Sequence, residues 1–206
     1  MRLTRPLWTL LTKRLLLIDV ETTGVNPISD CIVQIASCVL SRGALHEEEC
    51  FSSLVRPVSP ISPEAEKIHG LTEHTLRDAP PLAEALKSFD SYAPHDAFLC
   101  GHNVSFDVAF LKEAYRRVGI PYSFDYHTID IWSIAFFVLG SEGIELEAYN
   151  LDALCTLFGL ARKKHHDALE DVHLSAAILR HLFAEVRQAD LAVEAQANLF
   201  RQAGNG

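Results

Sequence analysis

The sequence predicts an α/β protein, on three observations. Leu15-Leu16-Leu17-Ile18 is a run of four aliphatic residues, the pattern of a strand buried on both faces. Two further strand-like segments follow it across short turns, as in an antiparallel meander. Later, the apolar segment Ala97 to Asn103 passes through a short polar turn straight into a helical pattern from Phe106, which is the strand-turn-helix unit of α/β architecture.

The 206 residues fit one core, with residues 1–14 expected to be an N-terminal extension, 15–187 the domain and 188–206 a C-terminal tail. Hydrophobic residues make up 49% and charged residues 22% of the chain, an ordinary balance for a globular protein. A net charge of -9 argues against coating nucleic acid by bulk electrostatics, which needs many phosphate-neutralising Lys and Arg, but leaves room for a local basic rim. Cys31, Cys38, Cys50, Cys100 and Cys155 are odd in number and contain no Cys-x-x-Cys pair. They read as reduced core residues of an intracellular, cytoplasmic protein, neither a disulfide framework nor a zinc site. Arg2, Arg5 and Leu7 to Leu11 imitate a signal peptide, but Lys13 and Arg14 interrupt the run too early. No stretch is long enough to span a membrane.

Taken in order, the first strand begins at Leu15 and ends in Asp19-Val20-Glu21-Thr22-Thr23-Gly24. Val25 to Asp30 has turn composition, Cys31 to Leu40 reads as the second strand, and Ser41-Arg42-Gly43 turns the chain into a third that runs to about Val55. Pro63 suits the first position of a short helix reaching about Lys67, with Gly70 as its stop and Thr72 to Thr75 as a new start. Pro80-Pro81 precedes an amphipathic helix with Leu82, Ala85, Leu86 and Phe89 on one face. The helix from Phe106 continues to about Val118, Tyr126 to Ile131 is the last strand, and Trp132 to Leu139 is helical. Leu151 to Phe158 forms a short helix stopped by Gly159, and 168–186 a longer one with Val172, Ala176, Leu179 and Phe183 buried.

The chemistry lies in the charges that interrupt this pattern. Side chains alternate along a strand, so Asp19 and Glu21 share a face about 7 Å apart. On a half-buried face one of them is expected to hold a proton unless a cation lies between them. Asp107 follows a strand end in the first turn of a helix, a position that the helix dipole also favours for purely structural reasons. Asp167 and Glu170 form a capping box, which puts Asp167 at the N-cap and His166 outside the helix. Were both helical, His166 and Asp171 would be about 140° apart around the axis, so a histidine on the loop converges more easily and suits a mobile general base. Four carboxylates with no cysteine nearby describe a hard-oxygen site for Mg²⁺ or Mn²⁺. Two such ions support phosphodiester cleavage. Arg162 to Lys164 would either attract phosphate or simply be a solvated loop.

Three segments, Ile18-Asp19-Val20-Glu21-Thr22-Thr23-Gly24, His102-Asn103-Val104-Ser105-Phe106-Asp107-Val108-Ala109-Phe110-Leu111 and His166-Asp167-Ala168-Leu169-Glu170-Asp171, resemble in order and spacing the motifs of the DEDDh exonucleases. This family includes the proofreading epsilon subunit of bacterial DNA polymerase III. Ile68 to Thr72 and Asn150 to Cys155 also resemble accessory segments of the epsilon-like branch. The resemblance implies an RNase H-like fold with a mixed five-stranded sheet flanked by helices, and removal of 5'-mononucleotides from a 3' end. It implies two metal ions on Asp19, Glu21, Asp107 and Asp171, with His166 taking the proton from the attacking water. Thr22, Thr23, Gly24 and Val25 would lie along the terminal nucleotide, with His69 and Asn103 as further substrate contacts. His127-Thr128-Ile129 departs from the Asp-Thr-Leu that relatives often carry.

Gln196-Ala197-Asn198-Leu199-Phe200 resembles the peptide by which bacterial replication proteins dock on the sliding clamp, so a clamp and a DNA polymerase are the expected protein partners. The leading expectation is action on DNA. RNA 3' trimming is the alternative of the same chemistry, since no residue announces a contact to the 2'-OH. A binding module without activity is the alternative of another class, and it is disfavoured because such a module need not keep four mutually repelling acids.

Overall fold

The computed structural model describes residues 13–163 and 167–184. The N-terminal extension up to residue 12, His166, the C-terminal tail and the clamp-like peptide at 196–200 lie outside the described residues. Five strands, β1 (Arg14–Thr22), β2 (Ile32–Ser41), β3 (Ala44–Leu54), β4 (Phe98–Gly101) and β5 (Thr128–Asp130), form one sheet of order β3-β2-β1-β4-β5. The first three are the antiparallel meander that the short turns predict, while β4 runs parallel to β1 and β5 parallel to β4. The sheet is therefore mixed, as the family resemblance implies.

Among the described residues, six helices cover it: α1 (Pro63–His69), α2 (Leu82–Tyr92), α3 (Ser105–Val118), α4 (Ile131–Ser141), α5 (Leu151–Leu157) and α6, residues 168–184. Strand alternation divides the apolar run of β1 between two cores. Leu16, Ile18 and Val20 pack with Phe89 of α2 and with Leu111 and Tyr115 of α3. Leu15 and Leu17 pack with Ile131 and Val138 of α4, Leu154 of α5 and Val172 and Leu179 of α6. Because Asp19 and Glu21 share the parity of Leu15 and Leu17, they point toward the α6 side of the sheet.

Local signals explain most of the boundaries. Ser62 caps α1 by accepting from the Ala65 N–H at 3.1 Å, Pro63 takes its first position, and Gly70 closes it at φ 69°, one half-turn beyond the expected end. Thr72 and Thr75 bond each other's backbone N–H at 2.9 and 3.1 Å, yet only a turn follows, since Pro80 and Pro81 leave no room for a helix. Strand β5 is half the predicted length. Its last residue, Asp130, is diverted to capping: its carboxylate accepts from Ser133 N–H at 3.1 Å and from Asn103 N–H at 2.8 Å. The unusual His127 is exposed and bonds Asp125 at 2.7 Å.

One expectation is overturned. Cys38 and Cys50 are joined as a disulfide, with Cα atoms 4.1 Å apart, while Cys31, Cys100 and Cys155 are free and buried. The pairing follows from register: Cys38 of β2 stands opposite Cys50 of β3, next to an irregularity between Cys38 and Val39 that no spacing rule foretells. Among the described residues no helix is long and apolar enough to cross a membrane.

Gly101 ends β4 close against the central strand. A Cβ there would lie 2.8 Å from the carbonyl oxygen of Ile18, a backbone atom of the central strand that has no free direction to move. Gly101→Ala is expected to destabilise the fold by about 1–3 kcal/mol, as other overpacked sites do. At about 2–4 °C per kcal/mol for a chain of this size, the thermal midpoint falls by several degrees. Calorimetry of the two proteins measures it, and an unchanged midpoint would contradict the close approach.

Candidate active site

The end of β1 delivers the first two carboxylates and α6 the third. Asp19, Glu21 and Asp171 each place an oxygen so that all three lie within 4.8 Å of one another. Glu21 and Asp171 are buried and Asp19 half-buried. Asp107 arrives by another route. Its helix packs on the opposite face of the sheet, but Asp107 stands in the first turn just past β4 and is buried. Its Oδ1 accepts from the Val20 N–H at 2.9 Å, beyond the last β1–β4 pair, Leu17 with Cys100. The carboxylate thus takes over a backbone donor left where β4 stops, between Asp19 and Glu21 in sequence.

The electrostatics follow from burial and crowding. Loss of solvent, with repulsion from Asp171, pushes Asp19 up to about 8, and burial with repulsion from Asp19 pushes Glu21 up to about 9. Asp107 is likewise raised, by burial first and by Asp19 second. Asp171 rises only to about 6, because Arg162 opposes the cost of its burial. The Arg162 guanidinium donates to both Asp171 oxygens, at 2.6 and 2.7 Å, and also to Asp152. Both bonds to Asp171 come from Nη2, and such charge-assisted bonds are shorter and stronger than neutral ones.

Arg162 corrects one sequence reading. Its side chain is 6% exposed and committed to Asp152 and Asp171, so it is neither a solvated loop residue nor a free phosphate attractor. Lys164, the end of that basic triplet, lies outside the described residues, as does His166, the expected base. The capping box is partly visible, with Asp167 Oδ1 accepting from Leu169 N–H at 3.2 Å and Glu170 N–H at 3.3 Å. Nothing in the sequence marks Arg162 as a partner of Asp171. They stand nine positions apart in the chain, and only the tertiary structure brings Arg162 against Asp171.

Beside the carboxylates opens a cleft of about 540 Å³ lined by Glu21, Thr22, Gly24, Val25 and His69, among others. Of the expected substrate contacts, Thr22, Gly24, Val25 and His69 therefore stand on its wall, whereas Thr23 and Asn103 do not. The Thr23 hydroxyl accepts from Cys31 N–H at 2.9 Å and meets Ser59 at 3.1 Å, pinning the loop after β1. Asn103 sits at φ 59°, turning the chain from β4 into α3. His69 receives the Leu71 N–H on Nδ1 at 2.9 Å and donates from Nε2 to the Thr22 carbonyl at 3.2 Å, bonds that select the neutral Nε2–H tautomer. Burial holds its pKa below the usual histidine value. Among the wall residues not foreseen as substrate contacts are the apolar Ile68 and Phe106. The signal was present for both, since Ile68 precedes His69 in the segment Ile68 to Thr72 and Phe106 precedes Asp107 in the second motif.

Three carboxylates converging within 4.8 Å, with no sulfur or nitrogen among their ligand atoms, fit a hard divalent cation and would be relieved of mutual repulsion by one. The mixed sheet, the helices on both faces and an acidic cluster at the end of the central strand, beside a cleft, define the class: a nuclease of RNase H-like fold. The chain belongs to the RNase T-type exonuclease family, whose model matches residues 16–179. It is 30% identical over 162 residues to the PolC-type DNA polymerase III of Thermotoga maritima, covering 78% of this chain and 11% of that protein. For the enzyme of Bacillus subtilis the identity is 26% over 180 residues, covering 87% and 12%. The chain thus spans only about a tenth of these relatives. Among solved structures, Exonuclease X in complex with 5'-overhanging duplex DNA is 30% identical with a TM-score of 0.61, covering 82% of this chain and 91% of that one. The zinc-bound E. coli Exonuclease I complex with single-stranded DNA has a TM-score of 0.75 at 23% identity, covering 88% and 42%, a likeness of fold.

Proposed function

We propose that the chain is a 3'-5' exonuclease that releases 5'-mononucleotides from the 3' ends of DNA. The observation that carries this reading is the convergence of Asp19, Glu21 and Asp171 beside a cleft with a largely apolar wall. Asp19, Glu21, Asp107 and Asp171 would hold two divalent cations, Mg²⁺ or Mn²⁺. Bound there, such ions lower the pKa of water and stabilise the charge that develops on attacking and leaving oxygens.

The remaining roles fall to the chain itself. Val25 and Ile68, exposed on the cleft wall, and Phe106 offer a face for the terminal base, whose π surface stacks on aromatic side chains without regard to sequence. Thr22 and Gly24 border the sugar-phosphate, and Asn103 meets the strand farther out. His69 orients the end of β1 through the Thr22 carbonyl. His166 removes the proton from the attacking water. Arg162, by pairing with Asp171, offsets part of the charge that the acids accumulate.

Preference for DNA is supported by the DNA complexes of Exonuclease X and Exonuclease I and by the polymerase relatives. The polymerase relatives support work beside a DNA polymerase in proofreading or repair, and the resemblance of Gln196 to Phe200 to a clamp-docking peptide supports a sliding clamp as a further partner. The test incubates the full chain with 5'-labelled and 3'-labelled single strands of DNA and RNA, with Mg²⁺, Mn²⁺ or EDTA. The expected result is metal-dependent shortening of DNA from the 3' end, with a ladder on the 5'-labelled strand and immediate mononucleotide release from the 3'-labelled one. Faster shortening of RNA would transfer the proposal to 3' trimming, and no shortening of either would end it.

A further inference from the structure

On the same side of the sheet, away from the carboxylates, a second group of side chains has a different chemistry. Cys38 of β2 and Cys50 of β3 stand in register, and His173 of α6 closes over them with Nε2 3.7 Å from the sulfur of Cys38 and 3.8 Å from that of Cys50. We propose that Cys38, Cys50 and His173 form a site for a thiophilic divalent cation, zinc, which the two sulfurs occupy when reduced and surrender when they join as the disulfide. This inference stands apart from the nuclease reading and uses none of its residues.

The argument is geometric. With Zn–S near 2.3 Å and Zn–N near 2.0 Å, a tetrahedral zinc holds a sulfur and a nitrogen about 3.6 Å apart. The imidazole nitrogen is already held close to that spacing from both sulfurs. The sulfurs do need movement, since atoms bonded to each other cannot both ligate an ion. The half-buried Cys50 has the freedom to rotate, while Cys38 is fully buried. Among the described residues, His173 also borders a pocket of about 370 Å³ with Lys163, Asp167 and Glu170. Three protein ligands leave a tetrahedral zinc one position for water, the pattern of an open zinc site. Thiolate donors separate it from the all-oxygen cluster, because soft ligands select zinc where carboxylates suit Mg²⁺ or Mn²⁺.

The chemistry balances. A small dithiol passes two electrons and two protons to the Cys38–Cys50 disulfide and leaves as its own cyclic disulfide. Zinc then binds as the two thiols release their two protons, with His173 contributing a lone pair. A small-molecule disulfide reverses the process, expelling the ion.

The experiment uses the full chain, reduced with a dithiol, freed of it without air, and kept in excess Mg²⁺ so that the carboxylates are filled. Co²⁺ is the probe, because a thiolate-to-cobalt charge-transfer band reports sulfur ligation and carboxylate-bound cobalt has none. The expected result is a band that saturates at one ion per chain, is bleached by Zn²⁺, and is absent from the oxidised protein. Cys50→Ser should abolish it and His173→Gln should weaken cobalt binding at least tenfold. In the wild type, bound zinc should slow alkylation of Cys50 at least tenfold, a readout that needs no variant to fold. No band in the reduced protein, an equal band in Cys50→Ser or in the oxidised chain, unchanged affinity in His173→Gln, or unprotected Cys50 would each overturn the site.

Discussion

Asp19→Asn will slow shortening of a 5'-labelled DNA strand at least about 10³-fold, and it will not cost the protein stability. The first half follows from the position of Asp19, whose oxygen lies within 4.8 Å of those of both Glu21 and Asp171. Charge stabilisation of the kind the acids would organise contributes several kcal/mol to the transition state, and each 1.36 kcal/mol is a factor of ten in rate. The amide is nearly isosteric but neutral, so it removes the charge and leaves the volume. The second half follows from the direction of the pKa shift. Burial and Asp171 raise Asp19 to about 8, so its ionised form is unfavourable in the fold, and a neutral replacement removes that strain. Activity lost with the thermal midpoint kept or raised at pH 8 separates a site residue from a structural one. Activity within tenfold of wild type would remove Asp19 from the site, and a midpoint that falls would mean that Asp19 supports the fold.

The second large effect joins pH, cation and stability. Asp19 near 8 and Glu21 near 9 hold protons in the fold that they release near 4 when the chain is unfolded. Between those values the folded state binds more protons than the unfolded one, so stability must fall as pH rises. In EDTA the thermal midpoint is therefore expected to be highest near pH 5 and to decline steadily toward pH 9, with Asp171, near 6, contributing in the lower part of the range. Divalent cations bind the ionised acids, so the midpoint gain from Mn²⁺ should be small at pH 5 and grow with pH. An ion at 100 times its dissociation constant stabilises by about 2.7 kcal/mol, which is about 5–10 °C for a chain of this size. Differential scanning fluorimetry across that range, with and without Mn²⁺, measures both slopes. A gain that is the same at pH 5 and pH 9 would show that the cation does not compete with protons for these carboxylates.

The disulfide and the arginine show where sequence reading stops. Cys38 and Cys50 are twelve residues apart on strands whose pairing carries an irregularity, so composition pointed to reduced thiols and only the register set them face to face. Arg162 looked like one of three surface cations. Its burial against Asp152 and Asp171 depends on how a loop folds back over α6, and periodicity carries no information about that. The cleft is a mixed case: Thr22, Gly24, His69, Ile68 and Phe106 lie in or beside the recognised segments, but only packing shows that Ile68 and Phe106 stand on its wall.

By itself the sequence determined the sheet-and-helix class, the order of nearly all the elements, the family, and the acids Asp19, Glu21, Asp107 and Asp171 as the candidate ligands. These rest on local rules: strand alternation puts Asp19 and Glu21 on one face, caps and glycines end the helices, and motif spacing survives in the linear chain. The tertiary structure alone decided that Asp171 crosses to the end of β1 with Arg162 attached, that Asp107 reaches the site by answering the N–H of Val20, and that His173 closes over Cys38 and Cys50. Each of these contacts spans elements distant in sequence or depends on how a loop packs. Its geometry is set by sheet register and packing, which no local pattern encodes.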